Sequence, residues 1–177
     1  MFAAIAERLR PSTVQVRVGG SGGSGVVWDH EGIILTNAHV AHRSYAQVEL
    51  ADGRLFRAHV YARDPERDLA VLTVDAVGLP AAPIGDPRRL RVGELVVAIG
   101  YPLGLPGALT AGIIHRTGER WVCSDVRLAP GNSGGPLADA SGRVVGINSL
   151  IGYGLAFAVP STAVWVMLRR LGEQAVA

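Results

Sequence analysis

This chain is cut into short extended runs, and the cuts restrict its fold more than any single run does. Six segments of strand length, with apolar residues alternating or clustered, fall at 13–18, 25–28, 33–36, 46–50, 55–61 and 69–74. Six more fall at 95–99, 109–115, 120–124, 136–138, 144–150 and 155–159. All are too short for a helical stripe to develop and are rich in the β-branched residues that favour a pleated surface. Residues 29–32 and Ala51-Asp52-Gly53 carry the turn chemistry of hairpins. Residues 78–91 are punctuated by proline and hold little that could sustain a strand, which marks a crossover. Only the ends differ. Phe2, Ile5 and Leu9 recur at helical spacing until Pro11 breaks the pattern, and Ser161 reads as an N-cap for a helix burying Val164, Trp165, Leu168 and Leu171. The expectation is an all-β chain of two six-stranded Greek-key β-barrels with short N- and C-terminal helices. The N-terminal barrel spans about 12–77, the crossover about 78–91, the C-terminal barrel about 92–160 and the last helix about 161–172.

Composition narrows the rest. With 177 residues, 49% of them hydrophobic, the chain can bury a core without staples, and a single cysteine, Cys123, excludes an intramolecular disulfide. Net charge is +2, and all 17 basic residues are arginines scattered along the chain. Their densest cluster, Arg88, Arg89 and Arg91, has no interleaved aromatics, which argues against a nucleic-acid partner. No apolar run reaches the length of a membrane span. The first ten residues lack both a basic start and an unbroken apolar stretch, so no signal peptide is expected in this chain, and a periplasmic site would require that a targeting segment had been removed. No Cys/His cluster suggests a metal, and no cofactor is expected.

The densest chemistry lies in Pro130-Gly131-Asn132-Ser133-Gly134-Gly135-Pro136-Leu137. A serine hydroxyl is a weak nucleophile at neutral pH. It needs a tight turn with small neighbours, a base, an orienting carboxylate, and N–H groups aimed at the developing oxyanion. Two segments upstream offer the base and the acid: Leu35-Thr36-Asn37-Ala38-His39-Val40 and Arg67-Asp68-Leu69-Ala70-Val71-Leu72. Taken singly, His39 is more commonly a strand-end histidine, Asp68 a cap and Ser133 a turn serine. Together, in the order His39, Asp68, Ser133, the three segments resemble those of trypsin-like serine proteases and, within them, the HtrA (Deg) family. Further landmarks in the family's order are Ser24-Gly25-Val26-Val27, residues 32–37, 91–94, 97–102 and 156–161.

The resemblance implies a fold of the trypsin-like type, with Ser133 as nucleophile, His39 as general base, Asp68 as its orienting partner, and the backbone amides of Gly131 and Ser133 as the oxyanion hole. Asn132 departs from digestive proteases, where an aspartate pairs with a newly cut N-terminus, so zymogen activation is not expected. Its side-chain amide is expected to brace its own turn. The specificity pocket is expected between residues 126–129 and 148–151. Leu128 would form an apolar floor, and the edge of Asn148, Ser149, Leu150 and Ile151 would pair with an extended substrate. Arg127 could turn inward to recruit an acidic side chain, or outward to solvent. The implied activity is endopeptidase hydrolysis of unfolded or flexible polypeptides. The alternative is a catalytically silent chaperone or peptide-binding module on the same fold. Many relatives continue into a peptide-binding PDZ domain, which this sequence does not contain. Relatives also form homotrimers through the N-terminal segment, where the stripe of Phe2, Ile5 and Leu9 lies, unless that helix docks on its own domain.

Overall fold

The computed structural model describes residues 1–176. A helix α1 (Phe2–Leu9) and a short 3-10 turn (Arg10–Ser12) lead into strands β1 (Thr13–Val18), β2 (Ser21–Val27), β3 (Ile33–Thr36), β4 (Tyr45–Glu49), β5 (Leu55–Asp64) and β6 (Leu69–Thr73). These close into a barrel in the order β1-β2-β3-β6-β5-β4. After the crossover come β7 (Leu95–Gly100), β8 (Ala108–Arg116), β9 (Val122–Ser124), β10 (Pro136–Asp139), β11 (Val144–Gly152) and β12 (Leu155–Pro160). They close as β10-β11-β12-β9-β8-β7, the same connectivity repeated, and α2 (Ser161–Val176) completes the chain. The strand pairs are antiparallel throughout. The arrangement is the trypsin-like fold.

The two-residue period of a strand explains why so many of these segments read as unbroken apolar runs. Ile34, Leu72 and Val27 point into the first barrel, while their neighbours Leu35, Val71 and Val26 point out of it into a layer shared with the second. The second barrel does the same: Val96, Ala98 and Val145 face its interior, and Val97, Ile99 and Val144 face the shared layer. Ile5 and Leu9 of α1 and Val164 and Met167 of α2 join that layer. Ile5 and Leu9 of the α1 stripe are therefore buried within the chain, while Phe2, its third member, and Met1 remain exposed. Where Pro11 ends α1, the Ser12 and Thr13 hydroxyls take over the freed Leu9 carbonyl at 3.0 and 2.9 Å.

Several boundaries differ from those read in the sequence. β2 begins at Ser21 rather than 25, because Gly22 and Gly23 pair with Arg17 and Val16 although glycine has little intrinsic strand preference. β9 starts at Val122 rather than 120. The C-terminal helix runs to Val176, past the expected end near 172. A 3-10 turn at Pro102–Gly104 has no counterpart among the elements expected from the sequence; Leu103 within it adopts φ +52°. Among the described residues no helix is long and apolar enough to cross a membrane.

Leu9 is fully buried where both barrels and both helices meet. Leu9→Ala is expected to destabilise the chain by about 2–5 kcal/mol, the usual range for a leucine truncated in a tight core. Urea denaturation would measure it.

Candidate active site

His39 lies just beyond β3, in a turn closed by the amides of Val40 and Ala41 on the Asn37 carbonyl (3.2 and 3.0 Å). Asp68 immediately precedes β6 and adopts φ +56°, a left-handed conformation uncommon for a residue with a Cβ. Asn37 steadies it by donating from Nδ2 to the Asp68 carbonyl at 2.9 Å. Since β3 and β6 are neighbours, the two loops meet. The Asp68 carboxylate accepts from the His39 amide (3.0 Å) and from ring Nδ1 (3.0 and 2.8 Å to its two oxygens). A carboxylate can only accept, so Nδ1 carries the proton and Nε2 is left with its lone pair, the tautomer a general base requires.

The second barrel supplies the remaining partner. β11 carries a bulge between Asn148 and Leu150, so Ser149 has no partner on β12. A bulge re-aims the side chain it frees. Here the Ser149 hydroxyl crosses the cleft and donates to Asp68 Oδ2 at 2.5 Å, while its carbonyl accepts from Ser133 Oγ at 3.1 Å. Ser149 thus contacts both the Asp68 carboxylate and the Ser133 hydroxyl. Ser133 and His39 make no hydrogen bond to each other. For His39 to take a proton from Ser133, the hydroxyl would first have to rotate away from the Ser149 carbonyl, as it could when a substrate tightens such contacts.

Electrostatics follows from these bonds. The hydrogen bond to Asp68 raises the His39 pKa; burial opposes this and the carboxylate's charge adds to it, for a net position above the ordinary imidazole value of 6.5. For Asp68, burial pushes the carboxyl up. The hydrogen bonds from the His39 ring, Ser149 and the His39 amide outweigh it and leave the group below its usual range. The pair is therefore biased toward imidazolium beside carboxylate, the charge state that follows proton abstraction.

The turn carrying Ser133 is held carbonyl by carbonyl. Leu103 N–H donates to Pro130 O (2.8 Å), Ser24 Oγ to Gly131 O (2.6 Å), Gly135 N–H to Asn132 O (3.0 Å) and Ser24 N–H to Ser133 O (2.8 Å). Among the described residues, neither the Gly131 nor the Ser133 amide donates to another protein group. Two unspent N–H groups on a turn whose carbonyls point elsewhere are what an oxyanion hole needs. Gly131 sits at φ +104°, and a Cβ there would collide with the Tyr101 carbonyl, so both conformation and space require glycine. The Asn132 side chain does not brace the turn as expected: its buried Oδ1 has no partner, and the backbone bonds hold the turn instead.

The expected pocket residues divide into two groups. Leu128 is half-buried against the second barrel's core, and Leu150 and Ile151 are exposed on a stretch of β11 that pairs with β12 but extends beyond its pairing with β10. Arg127 is exposed, makes no ion pair among the described residues, and has its carbonyl fixed by Thr110 Oγ1 at 2.8 Å. Asn148, by contrast, is buried and spends its amide on the Pro136 carbonyl (2.9 Å), so its side chain cannot reach a substrate. The Ser149 side chain belongs to the charge network. The sequence marks Ser24 only as the start of a family landmark and Ser149 only as part of the substrate-pairing edge; nothing in it points to the contacts that either hydroxyl makes. Among the described residues no group of three or more His, Cys, Asp or Glu is placed to hold a metal.

Comparison with known proteins agrees with this geometry. The trypsin-like peptidase domain family matches residues 23–147. A mitochondrial serine protease HTRA2 from Drosophila pseudoobscura pseudoobscura is 39% identical over 170 residues, covering 87% of this chain and 40% of that protein. A probable periplasmic DegP-like serine endoprotease from Halomonas elongata is 45% identical over 153 residues, covering 78% of this chain and 32% of its own. The chain thus spans two fifths or less of these two curated relatives. Among solved structures, the HtrA-type protease AlgW with tripeptide superposes with a TM-score of 0.92 at 34% identity, over 99% of this chain and 64% of that one.

An acid limb in kcat/KM is expected with a midpoint above 6.5, because the raised His39 must lose its proton before it can act as a base. Asp68→Asn should move that midpoint down and lower kcat about ten-thousandfold, through loss of the correct tautomer. A pH–rate series on both proteins checks the two effects together.

Proposed function

The chain belongs to the trypsin-like peptidase domain family, with HtrA-type proteases as relatives along most of its length, and on that premise we propose that it is a serine endopeptidase cleaving extended segments of unfolded or damaged polypeptides. The observation that carries the reading is the hydrogen-bonded run from the His39 ring through Asp68 to Ser149, beside a serine whose turn leaves two amides unspent.

In the reaction, Ser133 Oγ bonds to the scissile carbonyl carbon as His39 Nε2 takes its proton. The carbonyl oxygen gains the negative charge and is met by the Gly131 and Ser133 amides. His39 then delivers the proton to the departing amine as the C–N bond breaks, leaving an acyl-enzyme. Water, deprotonated by the same nitrogen, attacks the ester, and Ser133 recovers its proton as the acid leaves. The open edge at Leu150 and Ile151 accepts an extended strand by main-chain pairing, which favours unfolded segments over packed helices. On the far side of the nucleophile, a cavity of about 350 Å³ bordered by Gly22, Gly23, Leu103, Pro130 and Gly131 would take the residues after the scissile bond. The silent peptide-binding alternative needs an oxyanion turn in disarray, and the pinned carbonyls weigh against it.

Leu128 in an apolar setting, with Arg127 exposed, supports a preference for small or medium apolar side chains before the scissile bond. Incubating the chain with an unfolded protein and mapping the cuts should give Val, Ala and Leu at that position. Ser133→Ala should lower turnover about a millionfold without unfolding the chain. Cuts retained in that variant, or clustered after Glu and lost in Arg127→Ala, would overturn the nucleophile or the pocket respectively.

A homotrimer through residues 1–10 would use Met1 and Phe2, 76% and 41% exposed, beside exposed Ala3 and Ala4, since Ile5 and Leu9 are already covered. Sedimentation of the chain beside Phe2→Asp decides: trimer mass for the first and monomer for the second is expected, and monomer mass for both would remove the assembly.

A further inference from the structure

Ser24 takes no part in the acyl-transfer steps, yet every hydrogen-bonding atom it has is committed. It lies on β2, is completely buried, and most of its bonds cross to the other lobe. Its amide donates to Ser133 O (2.8 Å), its hydroxyl donates to Gly131 O (2.6 Å) and accepts from the Tyr101 amide (3.0 Å), and its carbonyl accepts from Thr36 Oγ1 (2.7 Å). The site is closed around it: a Cβ on Gly100 would come within 2.7 Å of Ser24 Oγ, and one on Gly134 would collide with the Ser24 carbonyl.

The position of that hydroxyl matters because of what it grips. The two oxyanion donors belong to the peptides 130–131 and 132–133, and the peptide 131–132 stands between them. Each outer peptide is held from within the second lobe, by Leu103 on Pro130 O and by Gly135 on Asn132 O. The central one is held by Ser24 on Gly131 O at one end and, because a trans peptide points its N–H the opposite way, by Asn132 N–H on Ala129 O (3.0 Å) at the other. Gly131 has no Cβ to resist rotation of this unit. If the central peptide turns, the angle between the two flanking amides changes, and they no longer converge on one oxygen.

We infer that Ser24 is a positioning residue for the oxyanion hole: its hydroxyl, itself oriented by the Tyr101 amide, fixes the peptide between the two donors. This rests on the endopeptidase reading above. It adds that the hole, although built from second-lobe atoms, is completed by a side chain of the first barrel, so it exists only when the barrels are docked in register.

The test is Ser24→Ala in the full chain, assayed with an apolar peptide ester and with a peptide boronic acid, whose tetrahedral adduct places an oxygen in the hole. The folded fraction is checked by thermal unfolding. Removing a whole oxyanion donor costs about a hundred- to a thousandfold in kcat. Loosening its support should cost about ten- to a hundredfold, with KM within about twofold and boronate affinity weakened by the same factor as kcat. A purely structural role would lower the melting temperature but leave kcat per folded molecule and boronate affinity unchanged, which would overturn the inference. So would a loss confined to KM, or a fall in kcat without one in boronate affinity. If the variant does not fold, the wild type still decides. Exchange of the Tyr101 amide should slow at least about tenfold when the boronate occupies the hole, because ordering the turn strengthens the same hydroxyl relay; an unchanged rate would refute the coupling. A wild type that neither cleaves nor binds the boronate refutes the endopeptidase reading along with this one, whereas active wild type with an equally active Ser24→Ala refutes this one alone.

Discussion

Each barrel turns one face of its strands inward and the other toward a common apolar layer, where Leu35, Val71, Ile99 and Ile147 are removed from water together with Leu9 of the N-terminal helix. At about 25 cal/mol per Å² of apolar surface, burial of this shared layer favours the lobes staying together. The cleft chemistry relies on their relative position. His39 and Asp68 belong to one lobe and Ser133 and Ser149 to the other, and the 2.5 Å bond from Ser149 to Asp68 tolerates little sliding between them. Non-directional burial brings the lobes together, and directional hydrogen bonds at the rim then select the register.

The same division of labour separates what is legible in the sequence from what is not. Strands buried on both faces announce themselves as β-branched runs, and the proline-rich crossover and the glycines around Ser133 are local chemistry, so barrels and crossover can be read directly. The first residues of β2 cannot, because Gly22 and Gly23 owe their strand conformation to pairing with β1 rather than to any preference of their own. The stripe on α1 shows that the helix buries one face but not against what; Ile5 and Leu9 serve the chain itself.

At the site, the segments carrying His39, Asp68 and Ser133 stand out by their flanks, while the groups that orient them do not. Ser149 reads as one more residue of an apolar strand, and only a bulge, a property of two strands together, turns its hydroxyl toward Asp68. Asn148 has the chemistry to meet a substrate and is instead spent on the Pro136 carbonyl. Asn132 carries an amide suited to bracing a turn, but backbone bonds already satisfy that turn. Short-range patterns reveal which residue types are present. The direction each one faces depends on partners far away in the chain.

The bulge at Ser149 also resets phase. Along a regular strand, the side a residue faces is a matter of counting, odd or even, and an insertion anywhere inverts everything beyond it. One surplus residue inside β11 breaks that count in two. The segment up to Asn148 alternates between the barrel's interior and the shared layer, while Leu150, Ile151 and the hairpin after them keep a tally of their own. The shelf on which a polypeptide would lie can therefore lengthen, shorten or exchange its side chains without transmitting a parity error back to the carboxylate.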